Sequence, residues 1–299
     1  MIEHAFLKEL NKQPERISQL EYPIVSEILN EAKKGFRKQD FVLEFKNVEK
    51  KDEIYVLGDI HGSWDSLAII LKDIEKNDPR IVISLGDIVD RGAEQLKCLM
   101  ILLILKILEP DRYFILRGNH ETEEMNAYYG FLERFIDKYG DMNKFLEILS
   151  VYEALPYCAV INNEILCLHG GIPEEIQAID QLRKLNKKNN NTLGLKNLEE
   201  TLFQIMWNDP KESDGYFFDS FRGPGIKFFG KDAFQEFMEF YDLKLLIRAH
   251  ECFSEGYRWF FDKKLLSIFS AANYRTSASN PGTYAIIKGG DVKVRRISL

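Results

Sequence analysis

The stretch VLGDIHG, Val56–Gly62, sets Asp59 and His61 two residues apart at the end of an apolar run. A core strand needs neither side chain. The pattern recurs: Asp87 follows RIVISLG, Asn119 and His120 follow RYFILRG, His169 follows EILCL, and His250 follows KLLIRA. Four of the five histidines stand at such ends, and only His4 does not. Any one of these residues alone reads as a turn residue or a satisfied core group. Carboxylate, amide and imidazole groups converging from five run ends require a cation to compensate them. Imidazoles mixed with carboxylate and amide oxygens suit manganese, iron or zinc better than magnesium or calcium, which prefer all-oxygen shells. The candidate ligands are too many for one open catalytic ion. They suit two divalent ions sharing a carboxylate, roughly 3.5–4 Å apart, a pair that acidifies a water and clamps phosphoryl oxygens. Glycines beside the ligands (Gly58, Gly62, Gly86, Gly118, Gly170 and Gly171) allow tight turns and close backbone approach.

Such groups are positioned by strands. In open α/β sheets, ligands bind beyond the carboxyl ends of the strands. The runs rich in Ile, Val and Leu that precede each candidate fit strands covered on both faces. Between the first two, Leu67, Ile70, Leu71 and Ile74 fall on one face of a helix. The apolar segment Leu96–Leu108 bridges the second and third, which completes a βαβ pattern. LLSIFS and TYAIIKGGDVKVRRI, with a Gly289-Gly290 turn, read as antiparallel strands with a hairpin. The expected fold is therefore α/β, a sandwich of mixed sheets flanked by helices. Residues 1–50 differ. Ile24, Val25, Ile28, Leu29 and Ala32 have helical spacing, so this part is expected to be a helical segment packed on a domain spanning 51–299. Asn186–Gly194 (NKKNNNTLG) reads as a solvated loop.

With 40 basic and 47 acidic residues the net charge is 40 − 47 = −7, which argues against a nucleic-acid partner. The most apolar stretch, Cys98–Leu105, ends at Lys106, far short of the ~20 residues a membrane span requires. It reads as a buried helix. Cys98, Cys158, Cys167 and Cys252 lack metal-ligand spacing and read as free thiols. The start, MIEHAFLKEL, lacks the features of a signal peptide. No membrane partner and a cytoplasmic location are expected.

GDIHG, GDIVDRG, RGNHE, HGG and RAH occur in the order found in the phosphoprotein phosphatase family of metallophosphoesterases. The match resembles its serine/threonine phosphatases of type 1, type 2A and calcineurin. It extends to ILRGNHE, YGF at Tyr129–Phe131, WNDP at Trp207–Pro210 and SIFSAANY. The compact chain is similar to archaeal members. The resemblance implies a metallophosphoesterase fold and a protein serine/threonine phosphatase, in which water or hydroxide held between two metal ions attacks phosphorus directly. Asp59 and His61 would bind one ion, Asp87 both, and Asn119, His169 and His250 the other, with manganese expected first and iron or zinc as alternatives. His120 would be the general acid, oriented by Asp90. Arg91 and Arg222 would bind phosphate, with Tyr274 and Asn119 also facing the substrate. Arg117 and Arg248 are expected to be structural ion-pair partners. Two departures stand out: FRGPGIKFFG is one residue longer between Arg222 and Gly230 than the family pattern, and RTSASN after Tyr274 replaces a Cys-Gly-acidic segment. Partners would be phosphorylated proteins, with room for a regulatory protein. The rival enzyme reading is a small phosphoesterase such as a dinucleotide polyphosphate hydrolase. A non-catalytic phosphoprotein-binding scaffold is the third, and it has no use for His120 and Asp90.

Overall fold

The computed structural model describes residues 2–185, 192–274, 279–297 and 299. Its strands in chain order are β1 (Val42–Phe45), β2 (Glu53–Leu57), β3 (Ile81–Ser84), β4 (Tyr113–Ile115), β5 (Cys158–Ile161), β6 (Ile165–Leu168), β7 (Asp209–Pro210), β8 (Phe217–Asp219), β9 (Lys227–Phe229), β10 (Leu245–Arg248), β11 (Tyr257–Phe260), β12 (Leu265–Ile268), β13 (Gly282–Lys288) and β14 (Asp291–Ile297). The α-helices are α1 (His4–Lys12), α2 (Tyr22–Arg37), α3 (Trp64–Asn77), α4 (Gln95–Leu108), α5 (Glu123–Tyr129), α6 (Phe131–Tyr139), α7 (Met142–Tyr152), α8 (Ala178–Lys184), α9 (Thr192–Lys196), α10 (Glu199–Trp207) and α11 (Lys231–Phe240).

Two sheets stack face to face. One runs β14-β13-β2-β3-β4 and the other β1-β5-β6-β10-β12-β11, while β7-β9-β8 form a small third sheet. The period-2 alternation of side chains explains the layering. Ile54, Val56, Ile81 and Ile83 point inward and meet Ile165, Cys167, Ile247 and Leu266 of the facing sheet. Their neighbours Tyr55, Leu57 and Val82 point outward beneath α1–α4, α6 and α7. On the opposite side Val160, Leu166, Leu168 and Leu246 are covered by α8, α10 and α11. The result is four layers, helix–sheet–sheet–helix. Each central strand is apolar on both faces, as the continuous runs in the sequence require.

Three expectations need correction. Residues 1–50 include a strand: β1 pairs in parallel with β5 inside the six-stranded sheet. The C-terminal strands are not uniformly antiparallel, because β12 pairs in parallel with β10 while β13 and β14 form the expected hairpin. Thr192–Lys196 is helical, so only the earlier part of Asn186–Gly194 stays undecided, and residues 186–191 lie outside the described set. Residues 275–278 of the RTSASN segment also lie outside it.

The pairing decides where chemistry can occur. β2, β3 and β4 are parallel neighbours, so the residues after them emerge at one edge. β6 and β10 are parallel as well, and deliver His169 and His250 from the other sheet. A single bridge between Asp59 and Phe269 joins the two sheets at that edge.

Candidate metal centre and catalytic cleft

Asp87 stands at the middle. Its Oδ2 lies 3.6 Å from His61 Nε2 and 3.8 Å from His120 Nε2, and its Oδ1 lies 3.3 Å from His169 Nε2. Asp59 Oδ2 is 3.6 Å from His61 Nε2, and Asp59 Oδ1 accepts from the His250 amide at 2.8 Å. His169 Nε2 is 2.9 Å from Asn119 Oδ1 and 3.3 Å from His250 Nδ1. All these residues are buried. Two groups of potential ligands, His61–Asp87–His120 and Asp87–His169–His250, share Asp87 and each lie within 4.8 Å.

The surroundings aim the nitrogens. His61 Nδ1 is 2.9 Å from Val89 O, and His169 Nδ1 is 2.9 Å from Leu85 O. A carbonyl only accepts, so each Nδ1 carries the proton and each Nε2 lone pair points inward, as second-shell carbonyls orient metal-binding histidines. His169 Nε2, Asn119 Oδ1 and Asp87 Oδ1 then converge on a point that needs positive charge, either a shared cation or a proton on His169, which burial would lower but the Asp87 carboxylate pushes up to about 9. The buried His250 Nε2 has no hydrogen-bond partner. The mixed nitrogen and oxygen set fits a divalent transition metal.

The electrostatics record the same crowding. Burial, then the Asp87 charge, push the Asp59 carboxyl up to about 7. Burial would also raise Asp87, but the imidazoles of His169, His120 and His61 outweigh it and hold that carboxyl well below its ordinary value. Burial and then His120 push His61 down to about 3. Burial would lower His120, but Asp87 and the bonded Asp90 carboxylate raise it.

The turns that carry these residues are strained. His61, Asp87, Asp90, Arg91 and His250 all have positive φ, between 44° and 70°. Each such non-glycine residue costs about 1–3 kcal/mol and persists only where its surroundings over-determine it. Here they do. Ile60 N and His61 N both donate to Asp87 O at 2.9 Å, and Gly92 N donates to His61 O at 2.9 Å. Gly118 must be glycine for another reason: a Cβ there would lie 2.3 Å from Asp87 Oδ1.

Several residues that reading the sequence missed hold this edge together. The buried Glu121 carboxylate accepts from the amides of Asp87, Gly118 and Ile88 at 2.8, 2.8 and 3.0 Å. It therefore staples the turn after β3 to the turn after β4. Asn126 Nδ2 donates to Asp90 Oδ2 at 2.9 Å and to His120 O at 2.7 Å. Asp90 Oδ2 is in turn 2.7 Å from His120 Nδ1, which leaves His120 Nε2 facing the centre. Glu121 closes the RGNHE string, but two of its three amide partners are distant in sequence, so the string marks the residue without showing its role.

A cleft of about 690 Å³ opens over the centre. Asp59, His61, Asp87, Asn119, His120, His250, Arg91, Arg222 and Tyr274 all line it, while Asp90 and His169 sit behind that wall. Tyr274 stacks on His61, ring centroids 5.0 Å apart. The Arg91 guanidinium lies 3.8 Å from the Tyr129 ring centroid, and Tyr129 lies 4.9 Å from His120. Tyr129 is thus a cleft residue that YGF marked only as part of a string. Arg222 Nε donates to Asp209 Oδ2 at 2.5 Å. Asp209 also accepts from the buried Arg248 at 2.8 Å, and Arg248 pairs with Glu251 as well, as expected for Arg248. Arg117 differs from expectation: its described partners are neutral, Glu121 O at 3.2 Å and Tyr157 Oη at 3.0 Å.

Parallel strand ends from two stacked sheets, converging on imidazoles and carboxylates that share one aspartate, define a metallophosphoesterase. The sequence pattern of the calcineurin-like phosphoesterases matches residues 53–253. The chain belongs to that family, and within it to the phosphoprotein phosphatases. It is 35% identical over 237 residues to the serine/threonine-protein phosphatase 4 catalytic subunit of Eremothecium gossypii, covering 79% of this chain and 74% of that one. The Saccharomyces cerevisiae protein of the same name is 34% identical over 237 residues, covering 79% and 75%. A solved serine/threonine phosphatase from S. cerevisiae, with similarity to human phosphatase PP5, superposes with a TM-score of 0.80 at 27% identity, covering 94% of this chain and 90% of that one.

Proposed function

We propose that the chain is a metal-dependent serine/threonine protein phosphatase acting on phosphoserine and phosphothreonine. Asp87 carries the reading: one carboxylate oxygen faces His61 and His120 and the other faces His169, so a single side chain serves two ligand groups. Asp59, His61 and Asp87 would hold one ion, and Asp87, Asn119, His169 and His250 the other. When bound, such a pair supplies an acidified water and neutralises charge on phosphoryl oxygens. Manganese suits the donor set first, with iron or zinc as alternatives.

The chain's own residues do the remaining work. Arg91 and Arg222 present planar forks that pair two phosphate oxygens at once. Tyr129 and Tyr274 flank Arg91 and restrict where its fork can point. His120 Nε2 donates a proton to the departing alkoxide, and Asp90 on Nδ1 stabilises the imidazolium that donates it. The names of the relatives support a protein substrate. Their designation as catalytic subunits supports a regulatory protein partner for this chain too. The four cysteines, three of them buried, form no disulfide among the described residues, which supports a reducing, cytoplasmic setting. Among the described residues no helix is long and apolar enough to cross a membrane.

The test strips metal with chelator, restores Mn²⁺, and offers phosphoserine, phosphothreonine and phosphotyrosine peptides beside a dinucleotide polyphosphate. Metal-dependent release of phosphate from the first two is expected. Turnover of the dinucleotide alone would make the chain a small-molecule phosphoesterase, and no turnover at all would leave the scaffold reading.

A further inference from the structure

We propose that Phe221 makes this cleft select substrates with an apolar residue next to the phosphorylated side chain. The inference rests on the protein-phosphatase reading. Phe221 is 88% exposed, the most exposed large apolar side chain among the described residues. Isolated exposed apolar residues are ordinary on a protein surface. Phe221 is not isolated: it lines the cleft together with Arg222, Trp207 and Tyr129.

The turn that carries it is held by its neighbours. Arg222, the next residue, is tied to Asp209, which Arg248 holds from beneath. Arg222 N donates to Ser220 Oγ at 3.2 Å, and Ser220 N donates to Ile226 O at 3.0 Å. The far end of the turn rests on an aromatic side chain, since a Cβ on Gly225 would lie 3.4 Å from the Phe203 ring. The Phe221 ring itself lies 5.4 Å from that of Phe228. Along α10, Phe203 and Trp207 are half-buried with rings 5.9 Å apart, and Trp207 meets His250 edge-on at 5.5 Å. An apolar strip thus leads from the candidate metal centre out past Arg222.

The cleft, at about 690 Å³, has the volume of a whole ligand pocket and not merely of a phosphoryl group. Consecutive residues of an extended peptide advance only ~3.3–3.6 Å. With the phosphate on Arg222, the substrate backbone passes about one side chain's length from it, and a flanking residue comes within reach of Phe221 on the same wall of the cleft. That wall offers a ring to cover and little free charge. Arg222 is paired with Asp209, and Lys227 with Asp219 at 2.8 Å. An apolar flanking residue removes two apolar surfaces from water, whereas a charged one gains nothing there.

The test measures kcat/KM for phosphothreonine peptides that differ only at the two positions flanking phosphothreonine: Leu or Phe against Ser or Glu. p-Nitrophenyl phosphate reports the chemical step alone. The native enzyme should prefer the apolar peptides by about tenfold. Phe221→Ser should bring that ratio close to one, and Phe221→Leu should retain most of it. Equal turnover of all peptides by the native enzyme would overturn the selectivity but spare the phosphatase reading. A preference that survives Phe221→Ser would overturn the role of Phe221. Turnover of the aryl phosphate with none of any peptide would overturn both.

Discussion

At the scale of single residues the site separates groups that would bind metal from groups that place those groups. Asp59, His61, Asp87, Asn119, His169 and His250 were legible because each follows an apolar run, and chemistry at strand ends leaves that trace. Glu121, Asn126 and Tyr129 were not. Their work is done largely through partners 30 to 40 positions away, such as Glu121 with Asp87 and Ile88, and a glutamate after NH says nothing of it. Glu121→Gln replaces one of the two acceptor oxygens with an NH₂ that faces one or two of the three amide donors. We expect a loss of about 1–3 kcal/mol of stability and a 10–100-fold loss of Mn²⁺ affinity, read by denaturant unfolding and metal titration. Unchanged metal affinity would confine Glu121 to a structural role. His120 needs a different test, because its Nε2 faces Asp87 at 3.8 Å and a histidine bonded to a carboxylate suits a ligand as well as an acid. General acid catalysis contributes about 10²–10⁴-fold, and an alkoxide leaving group needs it far more than an aryl oxide. His120→Asn should retain its metal, lose most of its rate on phosphoserine peptide, and lose clearly less on p-nitrophenyl phosphate. Loss of metal would make His120 a ligand, and equal losses on both substrates would give it an electrostatic role.

At the scale of elements, α4 shows why a helix can be apolar all round. Cys98 to Leu105 are all buried, because α4 packs against α1, α2 and α3 as well as β4. That much the unbroken apolar run announced. The pairing of β12 with β10 was not announced, since parallel and antiparallel partners demand the same alternation of side chains. The short strands β7, β8 and β9 are too brief to leave a periodic pattern. α4 also buries Lys106, whose ammonium donates to Pro110 O and lies 4.3 Å from the Phe114 ring centroid. Burial pushes this lysine down to about 8. The folded state therefore binds fewer protons than the unfolded one between about pH 8 and the ordinary lysine value. Stability should rise with pH across that window, and the full penalty applies below it. The ring contact offsets part of the penalty, by up to about 2 kcal/mol. Lys106→Met should then stabilise the protein at pH 7 by about 1–2 kcal/mol, with the advantage shrinking from pH 8 to pH 10. Denaturant midpoints for the two proteins at each pH decide it, and a constant or growing gap would mean that burial of the charge is not the cause.

At the scale of the whole molecule, the resemblance implied the stacked-sheet architecture, whereas the way residues 1–50 join it became visible only in three dimensions. α1 and α2 share a core with α4 and α7, and β1 belongs to the six-stranded sheet, so that segment is woven into both halves. The candidate metal centre joins the same halves at one edge. Asp59, Asp87 and Asn119 come from the five-stranded side and His169 and His250 from the six-stranded side. Without cations, these buried groups face one another at 2.9–3.6 Å with only protons such as that on His169 to compensate the carboxylates, and strained turns at His61, Asp87 and His250 have less to hold them. Ions that bind only the folded state stabilise it by mass action, about 2.7 kcal/mol per site at a hundredfold excess over Kd. For a chain of this size 1 kcal/mol moves Tm by about 2 °C, so two filled sites should raise Tm by about 10 °C. Scanning calorimetry of chelator-treated protein should show Tm climbing with the logarithm of added Mn²⁺. In Asp87→Asn that climb should shrink sharply, because one side chain serves both ligand groups. If Asp87→Asn responded to Mn²⁺ as the native chain does, the sites would be independent of Asp87. If the native Tm ignored Mn²⁺ altogether, the ions would not link the sheets, and the rigidity of this edge would rest on Glu121 and the backbone bonds of the turns alone.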